Sequence, residues 1–279
     1  MLATAIIVFR EVLEASLIVG VVLAASEGVR GRGRWVATGI AAGILGAMLV
    51  AAFASEISGA LHGNGQELFD AAVLFTAVCM LGWHNIWMGR HGRELAIEAG
   101  DVGKLVLAGT RPLYALAVVV GLAVLREGSE LVLFLYGILA ASAISPASFA
   151  GGLAVGLFAG VATGTALYLG LLRIPLRHLF TVTSWLILLL AAGMAAQGAS
   201  FLVQADWLPA LGTNLWDSSF LLSEQSIPGQ VLHTLVGYVA QPAGIQVVFY
   251  LATILVIGSL MRLLGRSAPR SKPVARPAE

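Results

Sequence analysis

The sequence predicts an all-α polytopic membrane protein of seven transmembrane helices. They form two inverted three-helix repeats plus a seventh helix, with the N-terminus outside and the C-terminus in the cytoplasm. Three observations predict this. Apolar residues make up 58% of the 279-residue chain and charged residues 11%, with a mean hydropathy of +0.91, outside the range of soluble globular domains. Seven apolar segments, roughly 3–25, 35–56, 67–89, 112–141, 148–172, 179–203 and 244–263, are each long enough to cross a bilayer. The connections between them alternate between basic and devoid of Lys and Arg.

That alternation sets the orientation. Arg30, Arg32 and Arg34 follow the first segment, and Arg90, Arg93, Lys104 and Arg111 follow the third. Arg173 and Arg177 follow the fifth; Arg262, Arg266, Arg270, Lys272 and Arg276 lie at and after the end of the seventh. The connections 57–66, 142–147 and 204–243 hold no Lys or Arg. Basic loops stay in the cytoplasm, so the first helix runs inward and the basic tail 266–279, expected to be disordered, is cytoplasmic. The first segment lacks a basic leader region and has charges in its middle, so it reads as a retained helix rather than a signal peptide.

The first and fourth segments carry the chemistry. Arg10-Glu11-Val12-Leu13-Glu14 and Arg126-Glu127-Gly128-Ser129-Glu130 repeat the pattern Arg-Glu-x-x-Glu in mid-segment. A charge near the bilayer centre costs roughly 2.5–3.5 kcal/mol on insertion scales, so three per helix, twice over, mark a site inside the membrane. On a helix Glu11 and Glu14 share a face, as do Glu127 and Glu130. Arg10 and Arg126 sit four residues before Glu14 and Glu130, in reach to hydrogen-bond a carboxylate. Two such helices facing each other converge four carboxylates and two guanidinium groups with a formal charge of −2, which a multivalent cation would neutralise. Oxygen-only ligation suits a hard cation, and the lack of Cys, Met and His in the motifs argues against copper(I) or zinc. A purely structural ion-pair clasp explains the motifs less well, because buried ion pairs add little net stability over leucine.

The remaining elements support this arrangement. The second helix is striped with Gly39, Gly43 and Gly46, and the fifth with Gly152, Gly156, Gly160 and Gly164. Such stripes let a neighbouring backbone approach closely, and this packing would hold the first and fourth helices in register. The third and sixth helices open with Leu68-Phe69 and Leu179-Phe180. An odd number of spans per repeat inverts the second copy, and inverted repeats place substrate sites near the midplane. The connection 89–111, with His91, Glu94, Glu98 and Asp101, reads as an interfacial cytoplasmic helix. Its Gly103-Lys104 lacks the flanking residues of a phosphate loop. The single cysteine, Cys79, excludes an internal disulfide and reads as a packing residue. On the outer side Glu56, Glu67, Asp70, Asp217 and Glu224, with His233, form a face that would collect cations. Tryptophans Trp207 and Trp216 fit an interfacial belt.

With its two motifs and the outer segment Trp207-Leu208-Pro209 … Leu215-Trp216-Asp217-Ser218 … Gln225-Ser226-Ile227-Pro228-Gly229-Gln230-Val231-Leu232-His233, the chain resembles the oxidase-dependent iron transporter family, and within it the bacterial EfeU-like iron permeases. The likeness spans about 1–265, read as one permease domain: repeat one about 1–90, repeat two about 112–203, an outer connection 204–243 and a seventh helix about 244–263. Many fungal members have Gly-Leu between the motif glutamates; Val12-Leu13 and Gly128-Ser129 differ but keep the spacing. The resemblance implies a transporter rather than an enzyme, in the bacterial cytoplasmic membrane, with Glu11, Glu14, Glu127 and Glu130 as iron ligands and Arg10 and Arg126 in support. It implies iron, ferric at the point of entry, as transported substrate, no permanent cofactor, and periplasmic oxidase or peroxidase-like and iron-delivering partners. No nucleic-acid partner is expected. Two other readings remain open: a proton-coupled carrier of another cation such as manganese, and a non-transporting membrane anchor for a periplasmic redox partner.

Overall fold

A computed structural model describes residues 1–60, 66–141, 145–170, 176–223 and 226–265. Among them the chain forms eight helices: α1 (Leu2–Ala25), α2 (Arg32–Ala60), α3 (Gln66–Leu107), α4 (Tyr114–Ala141), α5 (Pro146–Tyr168), α6 (Leu176–Gln204), α7 (Ile227–Val236) and α8 (Gly244–Gly265). Five stretches are long and apolar enough to cross a membrane: Arg32–Phe53, Glu67–Met88, Pro146–Tyr168, Phe180–Gln204 and Gly244–Leu264. Helices α1 and α4, of 24 and 28 residues, match these in length but are interrupted at their midpoints by the charged motifs.

The glycine stripes find partners across the two halves. A Cβ at Gly39 would lie 2.6 Å from the Ala117 carbonyl oxygen, and one at Gly43 would lie 2.8 Å from that of Gly121, so α2 packs backbone to backbone on α4. Gly152, Gly156 and Gly160 do the same for α5 against the carbonyl groups of Met1, Ala5 and Phe9, and Gly164 faces the Ser16 side chain of α1. The stripes therefore grip the motif helices directly. Helix α3 packs against α1, α4, α6 and α8, which makes it the central strut.

Two elements go beyond the expectations. The third span and the interfacial helix are not separate elements, because α3 continues to Leu107, beyond the bilayer thickness a span requires. Its far end is half-solvated, with an exposed Lys104–Asp101 pair at 2.8 Å, while Ala99 and Val106 pack beside Ile18 and Val22 of α1. The outer connection also holds a helix. Ser226 caps α7 by accepting from the Gly229 N–H at 3.1 Å, Pro228 sits in its first turn, and Gly237 ends it in the left-handed conformation at φ 71°.

Two apolar clusters divide the bundle. One holds Ala3 and Ile7 of α1, Leu74 to Leu81 of α3, Phe134 and Ile138 of α4, and a face of α6. The other holds Ile18 and Val22 of α1, Val36 of α2, Ala99 and Val106 of α3, and Ala115, Leu116 and Val120 of α4. Along α1 the order is first cluster, motif, second cluster; along α4 it is reversed. The charged residues occupy the layer between.

Candidate metal centre

Each motif forms the pair its spacing predicts. Arg10 Nε donates to Glu14 Oε1 at 2.8 Å, and Arg126 Nε donates to Glu130 Oε1 at 3.2 Å. Each arginine thus hydrogen-bonds the second glutamate of its motif and not the first, although Arg126 Nε also stands 3.7 Å from Glu127 Oε1. Both carboxylate oxygens of Glu11 and of Glu127 are buried without a hydrogen-bond partner. Unpaired buried carboxylates are costly unless a cation completes them.

The centre of the cluster is a residue that neither motif contains. His84 of α3 is 4% exposed and lies among the glutamates. Its Nε2 is 3.7 Å from Glu11 Oε2 and 3.7 Å from Glu14 Oε2, and its Nδ1 contacts Glu130 Oε2. Among the described residues Glu11, His84, Glu127 and Glu130 can each turn one ligand atom to within 4.8 Å of the others, close enough to hold one metal ion. His84 thus sets an imidazole beside the carboxylates that the motifs supply. The sequence offered little signal, since a lone histidine in an apolar run is ordinarily a packed core residue. The rotation of α3 that points it inward is set by its neighbours: Asn85 Nδ2 donates to the Ser184 carbonyl on α6 at 2.9 Å, and Gly82 admits Ile257 of α8. The Phe134 ring meets the imidazole edge-on at 5.8 Å.

The two motifs differ in access. Arg10, Glu11, Glu14 and Glu127 are 1–3% exposed, whereas the Arg126 and Glu130 side chains keep 31% and 20%. The opening is a groove of about 790 Å³ between α3 and α4, walled by Phe75, Met80, Trp83, Trp87 and Phe134 and leading to His84 and Glu130. Arg126 stacks over Trp87 at 4.2 Å, and its Nη2 approaches Met88 Sδ at 3.9 Å. Cys79, expected as a packing residue, is exposed and lines this groove.

The outer acidic residues are not gathered into a comparable group among the described residues. Glu67 is exposed in the first turn of α3 and Asp70 is half-buried one turn on. Asp217 is held by the loop itself: it accepts from the Ser219 hydroxyl, the Ser219 N–H at 2.9 Å and Gln241 Nε2 at 2.8 Å. Those donors, the Ser219 hydroxyl foremost, keep its carboxyl below the usual range. His233 Nδ1 lies 2.7 Å from the Tyr238 carbonyl oxygen. The Glu56 side chain and all of Glu224 lie outside the described residues. Trp207 and Trp216 are exposed, 68% and 49%.

The chain as a whole has known relatives. The model of the "Iron permease FTR1 family" matches residues 1–267. The chain belongs to the iron permease family. It is 32% identical over 274 residues to the "Ferrous iron permease EfeU" of Shigella sonnei (strain Ss046), covering 95% of this chain and 98% of the relative. The protein of the same name from Escherichia coli O157:H7 is matched equally well. That of Yersinia pestis is 29% identical over 249 residues, 88% of this chain and 87% of the relative. No solved structure matches. This permease-family chain is therefore a transporter-class protein rather than an enzyme, multi-pass in the bacterial inner membrane.

Proposed function

We propose that this chain carries iron across the cytoplasmic membrane through one midplane site formed by Glu11, Glu14, Glu127 and Glu130, with Arg10 and Arg126 positioning the second glutamate of each motif. The observation that carries the reading is the convergence of both motifs in one layer between two apolar clusters, with the carboxylate oxygens of Glu11 and Glu127 buried and without a hydrogen bond. Seven spans are proposed, with α1 and α4 crossing despite their charges, because the α1 motif and Glu127 are enclosed within the bundle and only Arg126 and Glu130 border the groove. The inverted repeat is supported by the reciprocal packing of α2 on α4 and α5 on α1. The N-terminus is then outside and the tail cytoplasmic.

The relatives' names support ferrous iron as the cargo, in place of the ferric ion expected at entry. The mixed carboxylate–imidazole cluster favours the same choice, since imidazole suits ferrous iron better than an oxygen-only set does. A periplasmic oxidase or peroxidase-like protein and an iron-delivering protein are proposed partners at the outer connection.

Radioactive iron uptake into proteoliposomes tests the site. Glu11→Gln, Glu14→Gln, Glu127→Gln and Glu130→Gln should each abolish uptake while leaving the protein in the membrane, because Gln keeps size and removes charge. Wild-type uptake in any two of the four would sink the shared site. Manganese taken up as well as iron would favour a carrier of another cation, and no uptake by the intact protein would favour an anchor.

A further inference from the structure

We propose that His84 is a ligand of the transported cation and sets the preference for ferrous iron over harder divalent cations. This rests on the transport site proposed above. The geometry at Nε2 is the first reason. At 3.7 Å from both Glu11 Oε2 and Glu14 Oε2, this nitrogen is too far for a hydrogen bond to either. Two ligand atoms held about 2.1 Å from one first-row ion and separated by ligand angles of roughly 90–120° lie about 3.0–3.6 Å apart, close to what is observed. A histidine buried only for packing would not leave its nitrogen facing two carboxylates across such a gap.

The other ring nitrogen supplies the second reason. Nδ1 contacts Glu130, whose remaining oxygen is held by Arg126 at 3.2 Å. A carboxylate on the far nitrogen of an imidazole fixes tautomer and ring orientation, the usual support behind a metal-bound histidine. Glu130, with Arg126 behind it, therefore orients His84 in addition to its own place in the site.

The third reason is what packing does not require. If α3 and α6 are aligned on Leu68-Phe69 and Leu179-Phe180, the position matching His84 is Ala195, itself buried at 1% exposure. The bundle closes around alanine there, so the imidazole in α3 serves the charged layer. Carboxylates alone bind magnesium, calcium, manganese and ferrous ions with little discrimination, and one imidazole tilts the set toward iron over these three.

The test uses the full chain in anaerobic proteoliposomes. Ferrous uptake is measured with manganese, magnesium and calcium as competitors for the wild type, His84→Gln, Glu11→Gln and Glu127→Gln. Pulsed electron paramagnetic resonance on manganese(II), loaded at one ion per chain, reads directly whether an imidazole nitrogen is bound. The expected result is nitrogen modulation in the wild type that is lost in His84→Gln. The apparent affinity for ferrous iron should fall on the order of 10–100-fold, with manganese competing nearly as well as iron. Absence of nitrogen modulation in the wild type overturns the proposal without needing any variant to fold. So does modulation that persists unchanged in His84→Gln, or an unaltered competitor profile. Loss of uptake in Glu11→Gln beside an unaltered His84→Gln would overturn the histidine and keep the glutamate site, whereas wild-type uptake retained in both Glu11→Gln and Glu127→Gln would overturn the site itself.

Discussion

Gly156→Ala should misplace the site without touching it. A Cβ at Gly156 would lie 2.6 Å from the Ala5 carbonyl oxygen, 2.7 Å from Val8 Cβ and 3.0 Å from the Phe9 nitrogen, one turn before Arg10 and Glu11. Ordinary contact begins near 3.4 Å, so α5 and α1 must separate by about 0.8 Å. Overpacking of that kind costs about 1–3 kcal/mol. The matched control lies on the same helix: at Gly151 the nearest atom is Met1 Sδ, at 4.0 Å. Both substitutions carry the same helix-forming gain, roughly 0.5–1 kcal/mol, so their difference isolates the steric cost. At about 2–4 °C per kcal/mol for a chain of this size, Gly156→Ala should melt several degrees below Gly151→Ala. Thermal unfolding in detergent, followed by intrinsic tryptophan fluorescence, measures this. Iron uptake should fall with it, since shifting α1 moves Glu11 and Glu14 relative to His84 and Glu127. Equal melting and equal uptake in the two variants would refute the claim that the glycine face of α5 sets the position of the α1 motif.

Three other outcomes are expected. Arg10→Lys should impair uptake more than Arg126→Lys, because ammonium cannot reproduce the guanidinium fork and Arg10 is fully enclosed whereas Arg126 is partly exposed at the groove; full activity in both would show that charge alone suffices. After Cys79→Ser, a cysteine at Ser218 should react with an impermeant thiol reagent in intact cells and one at Ser271 only after lysis, with the reverse pattern overturning the topology. A bulky reagent on the native Cys79 should slow uptake by filling the groove that leads to Glu130, and undiminished uptake by fully labelled protein would show that cations reach the site another way.

The helices, the charged layer and the arginine–glutamate pairs were legible because each depends on local geometry. Helical spacing alone puts Arg10 in reach of Glu14 and Arg126 in reach of Glu130, and apolar length alone marks the seven long segments. The glycine stripes announced close packing, but not that α5 would take α1 and α2 would take α4. That choice comes from matching whole helix faces, which no short window of sequence contains. His84 and the far end of α3 were hidden for the same reason. His84 lies about seventy residues from Glu14 and some forty from Glu127 in the chain, in a run where Trp83, Asn85 and Trp87 look equally able to face inward. Only the contacts that turn α3, Asn85 on Ser184 and Gly82 on Ile257, aim His84 at the carboxylates and leave Cys79 and Trp83 outward. The unequal exposure of the two motifs is likewise tertiary: the Arg-Glu-x-x-Glu segments are alike in sequence, but α1 is enclosed by α3, α4 and α5 while one flank of α4 borders an open groove.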